Sequence, residues 1–356
     1  MTKQRINYLD VAKGIGILLM IFGHIDRGGI IQTWIYSFHM PLFFIVSGII
    51  SYKKISETTV LKNDIVKKIK GLLYPYFMFS LLTMIYVFLV GLVLNHNVLQ
   101  ALSQVKECFF ETIMFFGYGN LWFIPCFFLS GVVFRFLCGL KKEGRVSIEL
   151  IFFFTVVMAF RRYPYGNIQY SFFTVFIKSL VGVLLMQLGF YLGKLIDYFK
   201  LINNYRNTVF LAIISTVVHS LLFIANGKRL VDLNTINLGN PLIYLMIAFN
   251  GATMVICLSI LLEKIDKIGI LKFFGGGKRS FIFLAVNNFT VITAICEKIS
   301  SLFLSSNTYT YTFMVCFFVV LIESFIVWVV EKYFYLLFDF GVFKSVFNLE
   351  NKKEKY

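Results

Sequence analysis

The chain has 356 residues, of which 58% are hydrophobic and 15% charged, and its mean hydropathy is +0.80. Soluble domains carry about 25% charged residues, so this composition excludes a soluble enzyme or binding module and indicates an integral membrane protein. The formal net charge of +16 is compatible with nucleic-acid binding. The positive charges are instead concentrated in alternate loops between the apolar stretches, which is typical of a membrane protein, and we expect no nucleic-acid partner.

Ten apolar stretches approach the roughly 17–25 residues that a helix needs to cross a bilayer. We therefore predict an all-α, multi-pass fold with about ten transmembrane helices. Two stretches are weaker than the others: one is short, at 146–160, and one contains Glu297 and Lys298, at 280–304. The predicted spans are residues 9–26, 34–51, 71–94, 120–138, 146–160, 171–193, 207–226, 240–262, 280–304 and 308–337.

The Lys and Arg residues fall mainly into alternate loops. With the N-terminus in the cytoplasm, the inner segments hold 23 of them and the outer loops hold six. Positive residues near the ends of spans stay in the cytoplasm, so we predict that both termini are cytoplasmic. We expect a single membrane domain at 1–340 and a basic cytoplasmic tail at 341–356. The first span lacks a small-residue cleavage site and is expected to be retained.

Three ionisable residues lie within the first span, in the run LDVAKGIGILLMIFGH at residues 9–24. A charged group in the hydrocarbon core costs roughly 2.5–3.5 kcal/mol on insertion scales, so such residues usually serve a function. Lys13 and His24 are about three helical turns apart and therefore share one face, about 16 Å from each other along the axis. Asp10 precedes Lys13 by one turn and is expected to pair with it.

The second span also contains a histidine, His39, in the run FHMPLFFIVSG at residues 38–48. This span runs back toward the cytoplasm, so His39 begins near the outer surface, at the depth of His24. We predict one site with both histidines in the outer half of the membrane and with Lys13 and Asp10 below them. The alternative is a structural role, since an intramembrane histidine also hydrogen-bonds between helices.

The six cysteines show no CxxC pairing and lie mostly in apolar stretches. We interpret them as membrane-buried thiols and predict neither disulfides nor a metal site. No internal repeat is visible in the sequence, in particular no pair of Gly- or Pro-broken helices of the kind common in secondary transporters.

The first two spans resemble the acyltransferase-3 family of ten-helix membrane O-acyltransferases. Members begin with an Asp, then an Arg or Lys, ten residues and a His, and Asp10, Lys13 and His24 reproduce that spacing. The run FHMPLFF at 38–44, followed by Ser-Gly at 47–48, is typical of the family's second helix. The sequence of this motif is most similar to that of the subgroup that includes fucose 4-O-acetyltransferase-like proteins.

Two later runs extend the resemblance. The run KKIKGLLYPY at 67–76 resembles the family's basic stretch before a Pro and an aromatic residue, and NLWFIP at 120–125 resembles its Leu-Trp-Phe element. The run GKRSFIFLAVN at 277–287 resembles a Gly-Lys-x-Ser element that usually leads to a His, but Asn287 stands in its place. The GGGK run at 275–278 is either a phosphate-binding nest or a flexible inner loop.

The resemblance implies transfer of an acyl group, most often acetyl from cytoplasmic acetyl-CoA, to a hydroxyl of a glycan or lipid-linked sugar at a bacterial cytoplasmic membrane. It implies that His24 is the general base, because imidazole titrates near neutral pH, or the acyl carrier. His39 is expected to orient His24 or to stabilise the developing oxyanion. Lys13 and Asp10 are expected to fix the donor end.

The donor side of this scheme involves further residues. Lys67, Lys68 and Lys70 are expected to contact the CoA phosphates, although they serve topology equally well. Trp122 is expected to line the acyl channel, unless it is an interfacial aromatic residue. For the acceptor the outer loops offer polar and aromatic groups that hold a glycan without selecting one sugar, namely Arg161, Arg162, Tyr163, Tyr165, Lys228 and Arg229.

An alternative function is a secondary transporter or proton-coupled flippase for a lipid-linked sugar, because buried His, Asp and Lys also serve proton relays. The clustering of both histidines in the outer half and the lack of repeat symmetry favour the transferase. A purely structural scaffold leaves the intramembrane charges unexplained. Covalent attachment of a labelled acyl group to product distinguishes the transferase from the transporter.

Overall fold

A computed structural model describes residues 6–26, 28–54, 61–95, 97–140, 142–162, 172–306 and 308–334. Within these residues all regular secondary structure is helical, apart from an isolated antiparallel bridge between Asp232 and Asn237. The α-helices are α1 (Asn7–Ile25), α2 (Ile30–Tyr36), α3 (His39–Lys54), α4 (Leu61–Lys68), α5 (Tyr74–Asn95), α6 (Val98–Ile113), α7 (Phe123–Cys138), α8 (Lys142–Arg162), α9 (Phe172–Tyr198), α10 (Tyr205–Ala225), α11 (Pro241–Glu263), α12 (Ile270–Gly275), α13 (Arg279–Val286), α14 (Thr290–Ser300) and α15 (Tyr309–Tyr333).

The prediction of an all-α, multi-pass membrane protein is confirmed. Eight helical stretches in the described part of the chain are long and apolar enough to cross a membrane, namely 7–25, 30–53, 63–93, 119–138, 172–198, 205–225, 241–263 and 309–333.

Two of the ten predicted spans differ from these eight. The span predicted at 280–304 is not one continuous helix: α13 and α14 pass the length test only together, and they are bent by 71°. The span predicted at 146–160 is the helix α8, which is not among the eight. Its ends carry too many charges for its length, including Arg145 and Glu149. The predicted tail at 341–356 lies outside the described residues.

The core is built around α9, which packs against α3 and α7, while α1 packs against α3, α11 and α12. In α9, 83% of the apolar window is buried inside the protein, against 22% in α10 and in α15. An apolar helix that leaves most of its surface uncovered by protein is suited to face lipid. We therefore assign α10 and α15 to the rim of the bundle.

Glycine lets α12 approach α1 at the level of the predicted polar stripe. A Cβ atom on Gly14 would collide with the carbonyl oxygen of Leu271, and one on Gly275 would collide with the carbonyl oxygen of Asp10. Small residues at such contacts let two backbones meet directly, the usual way in which membrane helices associate. The short helix α12 is thereby fixed against the turn that carries Asp10 and Lys13.

The second membrane span consists of α2 and α3, joined through Ser37 and Phe38. Pro41 lies in the first turn of α3, where a helix has no need of the missing N–H, so it does not interrupt the helix. The break places Tyr36 at the end of one helix and His39 at the start of the next. Both side chains consequently reach the same side of α1.

Candidate active site

Four of the eight predicted catalytic and donor-site residues line two neighbouring cavities: His24, His39 and Trp122 line one, and Lys13 lines the other. The first, which we call the histidine cavity, has a volume of about 210 Å³. The second, the lysine cavity, has a volume of about 300 Å³ and a mainly apolar lining. The histidine cavity is lined by Met20, His24, Tyr36, His39, Met40, Gly119, Asn120, Trp122, Val231, Asp232, Leu233, Asn234 and Leu284.

His24 lies in the last turn of α1 and is partly buried. Its Nδ1 is 3.3 Å from the hydroxyl oxygen of Tyr36. When Nδ1 carries the proton, it donates to that oxygen, and Nε2 is then the basic nitrogen of the ring. In the other tautomer the Tyr36 hydroxyl donates to Nδ1 and the proton lies on Nε2, so a general base at Nε2 requires the first tautomer.

His39 is 3% exposed, and its Nδ1 lies 3.0 Å from the carbonyl oxygen of Ile35. Because a carbonyl oxygen only accepts, Nδ1 of His39 carries a proton and donates it there. In the neutral ring Nε2 is then an acceptor. The ring packs against Tyr36, with 4.9 Å between centroids, and Tyr36 in turn packs edge-on against His24 at 6.0 Å. Tyr36 thus connects the two histidines.

A hydrogen-bonded network of amides backs the cavity at the bend between α13 and α14. The backbone N–H of Asn120 donates to Oδ1 of Asn288 over 2.9 Å. The side-chain NH₂ of Asn120 donates to Oδ1 of Asn287 over 3.0 Å. Asn287 donates in turn to Oε1 of Glu323 in α15 over 2.9 Å. Asn287, which replaces the expected histidine, therefore serves to hold Asn120 in the cavity wall.

Glu323 is 1% exposed, and its Oε2 has no hydrogen-bond partner among the described residues. A buried carboxyl group in a membrane span is costly, and such groups usually mark a functional region. Here the carboxyl group joins the lipid-facing helix α15 to the amide network. The structure thereby extends the polar site beyond the first two spans.

The lysine cavity is lined by Lys13, the basic member of the predicted Asp10–Lys13 pair, whereas Asp10 is not among its lining residues. Nζ of Lys13 is 2.6 Å from Oδ1 of Asp10, so the ion pair predicted from their spacing is formed. Lys13 lines the cavity together with Lys278 and Ser280. The rest of its lining is apolar or glycine apart from Ser47, namely Ile17, Phe43, Val46, Ile50, Gly71, Leu72, Pro75, Phe123, Ile124, Phe127, Gly277, Phe281 and Leu284.

The two cavities are separated by one layer of side chains. Leu284 of α13 lines both of them. On α1 the lining passes from Ile17 in the lysine cavity to Met20 in the histidine cavity, a distance of one turn. At the start of α7 it passes between adjacent residues, with Trp122 in the histidine cavity and Phe123 in the lysine cavity. A chemical group bound in the lysine cavity therefore lies close to a group bound in the histidine cavity.

The other residues predicted to bind the donor do not line the lysine cavity. Lys67 and Lys70 are exposed, and Lys68 lies against Gly131 of α7. They precede residues 71–75, which contribute to the lysine cavity. Trp122 is placed with His24 and His39 rather than with Lys13. The side chains of Arg161, Arg162, Tyr163 and Tyr165 lie outside the described part of the chain.

Sequence reasoning missed several residues of the histidine cavity and its wall: Tyr36, Asn120, Asp232, Asn234, Lys178 and Glu323. Lys178 and Glu323 carried a usable signal, since both are charged residues inside predicted spans. Asp232 and Asn234 lie in a loop, and nothing in the local pattern indicated that this loop folds over the cavity.

These features define a multi-pass membrane protein with a buried polar site between its first helices. The model of the acyltransferase-3 family, described as an acyltransferase domain, matches residues 6–329. The chain belongs to this family and is accordingly a membrane acyltransferase. No curated protein and no solved structure matches the chain.

Proposed function

We propose that this protein transfers an acetyl group from cytoplasmic acetyl-CoA to a hydroxyl of a glycan or lipid-linked sugar at the bacterial cytoplasmic membrane. The observation that carries the proposal is the pair of cavities. One is mainly apolar and is lined by Lys13, which pairs with Asp10. The other is more polar and is lined by two histidines, and a single layer of side chains separates the two cavities. This arrangement suits two substrates that meet from opposite sides.

On the donor side, the lysine cavity suits the thioester arm of acetyl-CoA. Its mainly apolar lining matches an acyl chain and the aliphatic part of the arm. Lys13 and Lys278 supply cations for its polar groups, and Asp10 fixes the position of Lys13. Lys67, Lys68 and Lys70 precede the lining residues 71–75 and remain our proposal for the CoA phosphates.

On the acceptor side, His24 acts as general base. Nε2 removes the proton of the acceptor hydroxyl while its oxygen attacks the thioester carbonyl carbon. The tetrahedral intermediate then collapses, the C–S bond breaks, and the imidazolium returns the proton to the departing CoA sulfur. In the alternative order, His24 first accepts the acyl group and then passes it to the sugar oxygen.

His39 has a positioning role in this scheme. Because its Nδ1 donates to Ile35, its neutral ring offers an acceptor at Nε2 and no N–H for a developing oxyanion. Of the two roles expected from the sequence, orientation of His24, here through the ring of Tyr36, therefore agrees better with the geometry than oxyanion stabilisation does.

Transfer of radiolabelled acetyl from acetyl-CoA to endogenous glycans, in membranes that contain this protein, tests the proposal. We compare the natural chain with His24→Gln and, as a matched control, with His219→Gln. His219 is also buried in a span, where its Nδ1 lies 3.1 Å from the carbonyl oxygen of Ile247 and its ring packs against Trp34 and Phe38.

We expect glycan label with the natural chain and with His219→Gln, and a loss of at least about 100-fold with His24→Gln, the scale of one general base. Equal label in all three proteins would show that His24 takes no part in the reaction, while the protein would still be an acyltransferase. Sugar movement across the membrane without any acetyl label contradicts the proposal. That result favours the transporter alternative, to which the bend between α13 and α14 is also suited.

A further inference from the structure

The charge of the histidine cavity bears on the kind of sugar it accepts. Apart from its two histidines, the polar side chains of its lining are a phenol, two amides and one carboxylate, that of Asp232. No Lys or Arg is among the described residues that line it. We propose that this cavity binds a single uncharged sugar ring and rejects an acidic one, with Asp232 as the specificity-determining residue. The inference rests on the proposed function and specifies its acceptor.

The segment that carries Asp232 is held in one conformation. Asp232 and Asn237 exchange two backbone hydrogen bonds of 2.9 Å each. Val231, Leu233 and Leu238 are buried in the hydrophobic core, whereas Asp232 and Asn234 are only partly buried, and all of these residues except Leu238 line the cavity. A recognition group on such an anchored turn loses little entropy when a ligand binds.

The carboxylate of Asp232 is fixed and retains acceptor capacity. Oδ1 accepts the backbone N–H of Asn234 over 2.8 Å, and Oδ2 accepts the hydroxyl of Thr235 over 3.1 Å. An ionised carboxylate has about four acceptor positions, so these two bonds leave others for ligand hydroxyls. Adjacent hydroxyl groups on a pyranose ring are donors of that kind.

Lys178 orients the second recognition group. Lys178 is 4% exposed, and its ammonium donates to Oδ1 of Asn234 over 3.1 Å. The remaining polar group of the Asn234 amide is then its NH₂, a donor that complements the Asp232 acceptor. The same ammonium lies 5.1 Å from the ring centroid of Trp122, which lines the cavity and offers a surface on which a sugar ring can pack.

The charge of Lys178 is offset by neighbouring carboxylates. It interacts electrostatically with two carboxylates, those of Asp232 and Glu111, so negative charge exceeds positive charge in this wall. A carboxylate on the sugar would lie beside Asp232 in a partly desolvated space, where like charges repel strongly. The volume of about 210 Å³ accommodates one ring, which leaves an acidic group little room to avoid this contact.

Binding of matched glycosides to the purified full-length chain tests the inference. The chain has three tryptophans, and the double variant Trp34→Phe/Trp328→Phe leaves Trp122 as the sole reporter. We titrate it with pairs of methyl glycosides that differ only at C6: glucoside against glucuronoside, and galactoside against galacturonoside. We expect saturable quenching of Trp122 by at least one neutral glycoside and binding at least about 100-fold weaker for its acidic counterpart.

Asp232→Asn in the same background removes the charge and keeps an acceptor oxygen, so we expect it to reduce the discrimination at least about tenfold. The matched control is Asp266→Asn. Asp266 accepts the backbone N–H of Ile270 over 2.8 Å and lines neither cavity, so this variant should keep the full discrimination. Equal binding of both members of each pair, no quenching by any neutral glycoside, or unchanged discrimination in Asp232→Asn overturns the inference.

Acetyl transfer to the same glycosides separates this inference from the proposed function. Selective binding of a neutral glycoside without transfer of label supports the neutral site and contradicts the acyltransferase scheme. Label on neutral and acidic glycosides at equal rates supports the scheme and overturns the inference.

Discussion

Tyr36 contacts both histidines of the cavity. Its hydroxyl oxygen is 3.3 Å from Nδ1 of His24, and its ring packs against His39. The motif in the second span drew attention to His39, but Tyr36 lies one turn earlier, at the end of α2. The residue that contacts Nδ1 of His24 therefore lies outside the motif.

Tyr36→Phe keeps the ring and removes the hydroxyl. We expect the rate of acetyl transfer to fall about two- to tenfold, because one hydrogen bond contributes about 0.5–1.5 kcal/mol. The fall should appear in kcat rather than in KM for acetyl-CoA. The measurement is initial rate against acetyl-CoA concentration.

Tyr311→Phe is the control for Tyr36→Phe. It removes a hydroxyl that donates to the carbonyl oxygen of Glu297 over 3.1 Å, in a helix pair that lines neither cavity at that point. Equal rate losses in both variants would contradict the assigned role of Tyr36.

Among the helices, the short helix α12 supports the part of α1 that carries the ion pair. It contacts α1 backbone to backbone at Gly14 and Gly275, so that it supports the turn of Asp10 and Lys13. The bend between α13 and α14 has a similar effect, since it brings Asn287 and the cavity wall together. Neither arrangement follows from the hydrophobic periodicity of these segments.

Gly275→Ala should destabilise the protein by about 1–3 kcal/mol, the usual cost of overpacking, because its Cβ collides with the carbonyl oxygen of Asp10. Thermal unfolding in detergent measures the change as a lower melting temperature. Gly144→Ala is the matched control, since nothing lies within 4 Å of a Cβ at that exposed position of α8. A melting temperature unchanged in Gly275→Ala would contradict the close contact of α12 with α1.

For the whole molecule, the separation of the two cavities is the central feature. Leu284 is 3% exposed and belongs to both linings. A thin apolar partition allows a reacting group to pass while it excludes water from the thioester. The integrity of this partition should decide whether the acyl group reaches sugar or water.

Leu284→Ala should join the cavities and raise the release of CoA in the absence of acceptor several-fold, while acetyl transfer to glycan falls. Thiol detection and glycan label measure the two rates side by side. Leu192→Ala is the control, because Leu192 is 1% exposed in α9 and lines neither cavity. It carries the same general cost of a core truncation, about 2–5 kcal/mol. An increase in hydrolysis of the same size in both variants would contradict a partition at Leu284.

The orientation in the membrane is a second property of the whole molecule, and it stays a prediction from the distribution of Lys and Arg. We expect Lys228→Cys to react with a membrane-impermeant maleimide in intact cells and Lys267→Cys to react only after permeabilisation. Both positions are exposed, whereas the six native cysteines are buried or partly buried. The reverse pattern of labelling would show that the predicted orientation is wrong, and that the donor side is assigned to the wrong face of the membrane.

The sequence by itself determined the class of protein, most of the spans, and the polar stripe of the first span with its Asp10–Lys13 pair. These properties depend on composition and on the period of one helix, which is fixed by backbone geometry. The tertiary structure decided which helices meet. It placed Trp122 with the histidines, split the span at 280–304 into two bent helices, and set Lys178 against Asn234. Such contacts depend on side-chain shape and on close backbone approach between segments distant in the chain, and local periodicity contains no information about either.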